Sequence, residues 1–155
     1  MSRDTSFYYS FLVLPPRKRT AIIAVWDFCR AVDDAVDEVV PENEWAGGLS
    51  DEARAKATAQ VAIWRAEVAA TYDGTPQTPQ GVGLQPFVSE FNLPRKSFED
   101  LVDGVEMDLH NVRYETFTAL AEYCRRVASA VGLICLEIFG YRNQSAKAYA
   151  ENLGL

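Results

Sequence analysis

Apolar residues recur at helical spacing from Arg17 to about Val40, at Ile22, Val25, Phe28, Cys29, Val32 and Val36, and Pro41 closes the stretch. This is the best-defined helix of the chain. Before it, Asp4 to Pro16 carries Phe7, Tyr8, Tyr9 and Phe11 and stops at Pro15-Pro16, which predicts a short helix. A third helix runs from Ser50, a suitable N-cap, to Tyr72, with Ala57, Val61, Trp64 and Val68 on one side and Asp73-Gly74 at its end. Its charged residues alternate outward. Residues 74–86 are rich in proline and glycine and predict a loop. Pro94 opens a fourth helix through about His110, Thr116 caps a fifth that continues to Phe139 before Gly140, and a sixth begins near Ser145. No strand pattern competes, so the expected class is all-α, in one helical domain over 1–155. Ala148 to Leu155 reads as an amphipathic helix that stops without a cap, so the sequence looks cut.

Composition narrows the partners. A length of 155 residues with 48% hydrophobic content is enough for one sizeable core. The net charge of -7 argues against nucleic acid, because phosphate backbones are bound by clustered Lys and Arg. An acidic protein that handles anions must supply positive charge locally, from a few arginines or a bound cation. Cys29, Cys124 and Cys135 are an odd number, lack CxxC spacing and lie in apolar runs, which predicts buried reduced thiols and a cytoplasmic setting. No signal core or bilayer-length apolar run is present.

Arg30, Asp33, Asp34 and Asp37 fall at i, i+3, i+4 and i+7, on a face roughly 100° wide. Carboxylates four apart repel by a few tenths of a kcal/mol in a free helix, and a divalent cation would reverse that sign, roughly speaking. Oxygen ligands suit Mg²⁺, which takes one or two carboxylates and completes its shell with water and phosphate oxygens. Arg30 would add a forked donor for the same phosphate oxygens. The bland alternative is a solvated acidic face. Against it, Ile23 and Trp26 lie in the same sector one to two turns back, which describes the rim of an apolar cavity. Asp103, Glu106, Met107 and Asp108 form a second acidic group, with a structural role and a place near the metal mouth both open. His110, the single histidine, rules out a His-rich zinc or di-iron site and reads as a helix-end residue. Gly81-Val82-Gly83 lacks the third glycine and preceding strand of a dinucleotide fingerprint. In the run from Tyr123 to Gly132, small Ala128, Ser129 and Gly132 admit a close neighbour, either a helix or a ligand.

Phe7 to Pro16, followed by Cys29-Arg30-Ala31-Val32-Asp33-Asp34-Ala35-Val36-Asp37-Glu38, resembles the opening of the squalene and phytoene synthase family. Gly104-Val105-Glu106-Met107-Asp108 and the Tyr123 to Gly132 run, continuing to Ile138-Phe139-Gly140-Tyr141, are most similar to its hopanoid branch, which makes presqualene diphosphate. The resemblance implies an isoprenoid (terpenoid) synthase-like helical bundle around an apolar cavity, with two acidic motifs across its mouth and Mg²⁺ between them. It implies Mg²⁺-dependent, head-to-head joining of two farnesyl diphosphates to a cyclopropyl diphosphate. By matching motif, Asp33 and Asp37 are implied Mg²⁺ ligands supported by Asp34, and Arg30 is placed on a diphosphate. Ser6, Phe7 and Phe11 match positions near the diphosphate and prenyl chain, Val131 falls on the substrate-binding side, and Tyr123 matches a tyrosine that stabilises a cation or assists proton removal. Ser129 departs from the family's usual glycine. The second aspartate motif is expected beyond Leu155, which implies a missing C-terminal half or a partner chain that carries it. Phytoene, dehydrosqualene or squalene formation, and an inactive fragment or helical partner subunit, stay open as alternatives. An apolar substrate and product fit loose, peripheral membrane association without an anchor.

Overall fold

The computed structural model describes residues 14–110 and 116–140. Among them every regular element is helical: α1 (Pro16–Asp37), α2 (Glu42–Gly47), α3 (Asp51–Asp73), α4 (Pro79–Glu90), α5 (Arg95–His110), α6 (Phe117–Cys124), a π-helical turn (Arg125–Ser129) and α7 (Ala130–Phe139). The expected helices over 4–16 and from 145 onward lie outside the described residues.

The helix ends follow from local chemistry. Pro16 occupies the first turn of α1, where a missing N–H costs nothing and the fixed φ suits helix entry. Ser50 Oγ accepts from the Ala53 amide at 3.2 Å, and Gly74 ends α3 at φ 87°, a left-handed conformation that suits glycine. Thr116 Oγ1 accepts from the Ala119 amide at 3.2 Å to start α6.

Two expectations need correction. The loop expected over 74–86 is a helix from Pro79 onward, so Gly81, Val82, Gly83 and Pro86 are helical. Its start is set by a residue distant in sequence. Glu67, buried on α3, accepts the Gln77 amide (3.0 and 3.2 Å), the Thr78 amide (3.0 Å) and the Thr78 hydroxyl (2.8 Å). Thr78 Oγ1 in turn accepts the Gly81 amide at 3.0 Å. The second correction concerns the helix expected over 116–139, which is interrupted by the π-helical turn and so resolves into α6 and α7.

α1 is the central element and packs against α3, α4, α5 and α7, while α5 packs on α3, the π turn and α7. The periodic residues Ile22, Val25, Phe28, Val32 and Val36 are all buried. Phe28 sits edge-on to Trp64 (centroids 5.4 Å) and Phe98 (5.6 Å), which joins α1, α3 and α5 in one core. Full burial of a phenylalanine side chain contributes about 3 kcal/mol by its apolar area. Phe28 therefore fixes how α1 sits in the bundle. No helix of the described residues is long and apolar enough to cross a membrane.

Candidate active site

Because neighbours flank α1 on several sides, the stripe read from the sequence divides between two concavities. Trp26, Cys29, Arg30 and Asp33 line a cavity of about 190 Å³, closed by Leu101, Val105 and Asp108 of α5, Tyr123 of α6 and Val127 of the π turn. Ile23, Asp27, Arg30 and Asp34 instead line a larger groove of about 660 Å³ against Gln80 and Phe87 of α4. Arg30 borders both. Its Nε lies 3.6 Å from Asp34 Oδ1, an ion pair with both side chains largely in solvent, where pairs contribute at most about 1 kcal/mol.

The smaller cavity has apolar walls of Trp26, Leu101, Val105 and Val127 and a charged mouth. Asp33 has its side chain at the open rim, yet enough protein surrounds it for desolvation to be the first cause raising its pKa. Repulsion from Asp37 and Asp34 adds to this, against a lowering by Arg30. Asp108 is also raised, first by burial and then by Asp33 and Asp37, while a hydrogen bond from Tyr123 acts the other way. The Tyr123 hydroxyl donates to Asp108 Oδ2 at 3.2 Å. Carboxylates from α1 and α5 thus feel one another across the mouth, and among the described residues lining this cavity Arg30 is set against Asp33 and Asp108.

That donor set suits a hard cation. Among the described residues, however, no group of three or more His, Cys, Asp or Glu side chains is disposed to hold a metal ion. Mg²⁺ does not require one, since it keeps water and takes substrate phosphate oxygens beside one or two carboxylates. The carboxylates present therefore fit a Mg²⁺ site whose shell is completed from outside these residues.

The second acidic group has two fates. Arg65 of α3 reaches Asp103 Oδ1 at 2.5 Å and Glu106 Oε2 at 2.6 Å, and Arg126 reaches Asp103 Oδ2 at 3.1 Å and Glu122 Oε1 at 2.7 Å. Asp103 and Glu106 are therefore structural, tying α3, α5 and the π turn together, whereas Asp108 faces the cavity. Sequence reasoning missed Arg65, whose charge read as part of an outward face, and the walls Leu101, Val105 and Val127, for which 3.6-residue spacing gave a signal. Val131, on α7, is partly buried and is not among the walls of this cavity. Ser6, Phe7 and Phe11 lie outside the described residues. His110 ends α5, as expected; the three cysteines are free but half-buried, where full burial was expected, because each borders a concavity or a helix flank and not the centre of the core.

The profile of the squalene/phytoene synthase family matches residues 1–155. The chain belongs to that family. It is 36% identical over 97% of its length to the presqualene diphosphate synthase of Rhodopseudomonas palustris, and 37% identical over 97% to that of Sinorhizobium fredii. It is also 32% identical over 92% of its length to a 15-cis-phytoene synthase of Synechocystis. This family member spans about half of the first two relatives, 50% of each, and 39% of the third. Its fold is similar to a dehydrosqualene synthase crystallised with a ligand, with TM-score 0.78 and 28% identity over 98% of this chain and 48% of that one. A squalene synthase of Alicyclobacillus acidocaldarius gives TM-score 0.74 and 25% identity over 97% and 51%. The all-α, isoprenoid synthase-like class expected from the sequence is thereby established.

Proposed function

We propose that this squalene/phytoene synthase homologue contributes the first acidic motif and one cavity wall of a prenyltransferase that joins two farnesyl diphosphates head to head into presqualene diphosphate. The observation that carries the reading is the junction of an apolar cavity with a carboxylate mouth, built by α1, α5 and α6 from Trp26, Asp33, Asp108 and Tyr123. An amphiphilic substrate with an anionic head and a hydrocarbon tail matches that polarity. The two relatives at 36% and 37% identity are named presqualene diphosphate synthase, which supports this product over phytoene, whose synthases reach 34%.

In the proposed reaction the C1–O bond of one farnesyl diphosphate breaks and inorganic diphosphate leaves. C1 then bonds to the C2–C3 double bond of the second molecule, and loss of a proton closes the cyclopropane ring. Asp33 and Asp37, supported by Asp34, would hold Mg²⁺, which supplies Lewis-acid neutralisation of diphosphate charge. Arg30, beside them, donates to the diphosphate oxygens once it exchanges Asp34 for that stronger acceptor. Trp26, Leu101, Val105 and Val127 keep water from the cationic carbon. The Tyr123 oxygen faces the developing positive charge and assists proton removal. Ser6, Phe7, Phe11 and Val131 are further proposed contacts to the substrate, and apolar product release fits loose association with a membrane surface.

The test is incubation with Mg²⁺ and labelled farnesyl diphosphate, followed by product analysis. The chain is assayed alone and together with a chain carrying the family's second aspartate motif. Presqualene diphosphate in the combined sample, lost in Asp33→Asn at unchanged helix content, is the expected result. No prenyl product in either sample, or full turnover by Asp33→Asn, would overturn the reading.

A further inference from the structure

Gly104 and Asp108 stand one helical turn apart on α5 and meet Tyr123 and Val127, which are also four residues apart, across the junction of α6 and the π turn. At the first point the two backbones approach closely. A Cβ added at Gly104 would collide with Val127 Cγ2 and stand 3.5 Å from Arg126 Cβ. At the second point Asp108 Oδ2 accepts the Tyr123 hydroxyl at 3.2 Å. The Arg126–Asp103 contact at 3.1 Å anchors the π turn to α5 beside the first of these points. α6 and the π turn are thus registered on α5 by a steric contact and a polar one, and both Tyr123 and Val127 line the cavity.

The direction of the polar contact has a chemical consequence. A phenol has one proton to donate and lone pairs on the same oxygen. With that proton engaged by Asp108, the hydroxyl presents its electron-rich side elsewhere, and Tyr123 borders a cavity whose other walls are Trp26, Leu101, Val105 and Val127. Asp108 itself need not reach substrate. We propose that Asp108 is a positioning residue that orients the Tyr123 hydroxyl so that its oxygen lone pairs, not its proton, face the cavity. Gly104 supports this orientation by letting the π turn seat against α5. The catalytic consequence rests on the prenyl-transfer reading: an oxygen presented in this way favours an adjacent cationic carbon and accepts the proton it loses, whereas a hydroxyl donating inward would oppose both.

The test reads geometry and turnover separately. The chain is labelled with 3-fluorotyrosine, the Tyr123 fluorine resonance is assigned by its loss in Tyr123→Phe, and spectra are compared for wild type, Asp108→Asn and Asp108→Ala without metal. Asn retains an oxygen that accepts the hydroxyl proton, so its resonance is expected to stay near the wild-type position. Ala has no acceptor, so its resonance is expected to move toward the value for solvated tyrosine. A resonance unmoved in Asp108→Ala, or displaced equally in both variants at native helix content, overturns the proposal. In whichever preparation turns over farnesyl diphosphate, Asp108→Ala is expected to lower kcat about tenfold, the worth of one charge-assisted hydrogen bond, with KM little changed. That loss should disappear in a Tyr123→Phe background, because a residue acting through another is non-additive with it. Additive losses overturn the proposal. Absence of turnover everywhere defeats the prenyl-transfer reading instead, and the fluorine spectra still decide whether Asp108 orients Tyr123.

Discussion

Glu67→Ala should be among the most destabilising substitutions in the chain, although Glu67 touches neither concavity. Its carboxylate is buried and accepts the Gln77 amide, the Thr78 amide and the Thr78 hydroxyl, with Oε1 taking all three. Alanine would leave two backbone donors without their acceptor in a partly buried turn and would free Thr78 from the geometry in which it caps Gly81. In this partly buried turn each stranded donor costs about 1–2 kcal/mol and a lost N-cap about 1 kcal/mol, so a loss of about 3–5 kcal/mol is expected. For a chain of this size each kcal/mol moves Tm by about 2–4 °C, which gives a drop of about 6–20 °C. Urea unfolding followed by circular dichroism measures the same quantity as a lower midpoint at unchanged slope. Glu67→Gln should lose less, because the amide oxygen can still serve the Thr78 donors while its NH₂ faces the Gln77 amide. A loss under about 1 kcal/mol for alanine, or equal losses for the two variants, would refute the idea that this carboxylate starts α4.

Gly81→Ala should also destabilise the chain by about 1–3 kcal/mol, the usual cost of overpacking, because a Cβ there collides with Glu67 Oε1 and stands 2.9 Å from Thr71 Oγ1; the urea midpoint checks it. Burial pushes the Cys29 thiol up to about 12, with Cys135 and then Asp33 adding to it, and burial pushes Cys135 up to about 11. Both thiols should therefore resist iodoacetamide at neutral pH until urea unfolds the chain, as mass spectrometry would show. The unfolded chain loses these protons near the ordinary thiol value of 9.0 while the native chain keeps them. Stability should accordingly be unaffected by these thiols below that pH and fall as pH rises through the window up to the native values, with Cys29→Ala and Cys135→Ala flattening the decline. Glu90 accepts from Arg17 Nε and is held below the ordinary glutamate value of 4.5. The stabilisation from that pair should be present above this value and lost as pH falls through the native one. NMR titration of Arg17→Ala should return Glu90 to the ordinary value.

Local rules carried the reading of the chain as far as they reach. The periodicity of Ile22, Val25, Phe28, Val32 and Val36 found the buried face of α1, and Ser50, Gly74 and Thr116 marked helix ends, because each signal is complete within a few residues. α4 was not legible because its proline and glycine content argues for a loop, and the group that overrules this, Glu67, is on another helix. α2 has six residues, too few for a period to be detected. The π turn packs against Gly104 through Val127, a contact that no local pattern encodes.

The candidate site divides along the same line. Periodicity grouped Trp26, Arg30, Asp33, Asp34 and Asp37, yet it could not tell that α4 would draw Asp34 into one concavity while Asp33 came to the rim of another against α5 and α6. The acidic group on α5 makes the point more sharply. Asp103 and Asp108 are the same residue type on one helix, and five positions at 3.6 residues per turn place them about 140° apart. One faces Arg65 and Arg126 and is committed to holding helices together, while the other faces Tyr123 and the cavity. Their angular separation was readable from the sequence, but which side held arginines and which held a tyrosine was not. Those identities come from α3, α6 and the π turn, and they decide which carboxylate can take part in chemistry. An acidic cluster therefore becomes a site, or fails to, according to the cations that the rest of the fold delivers to each of its members.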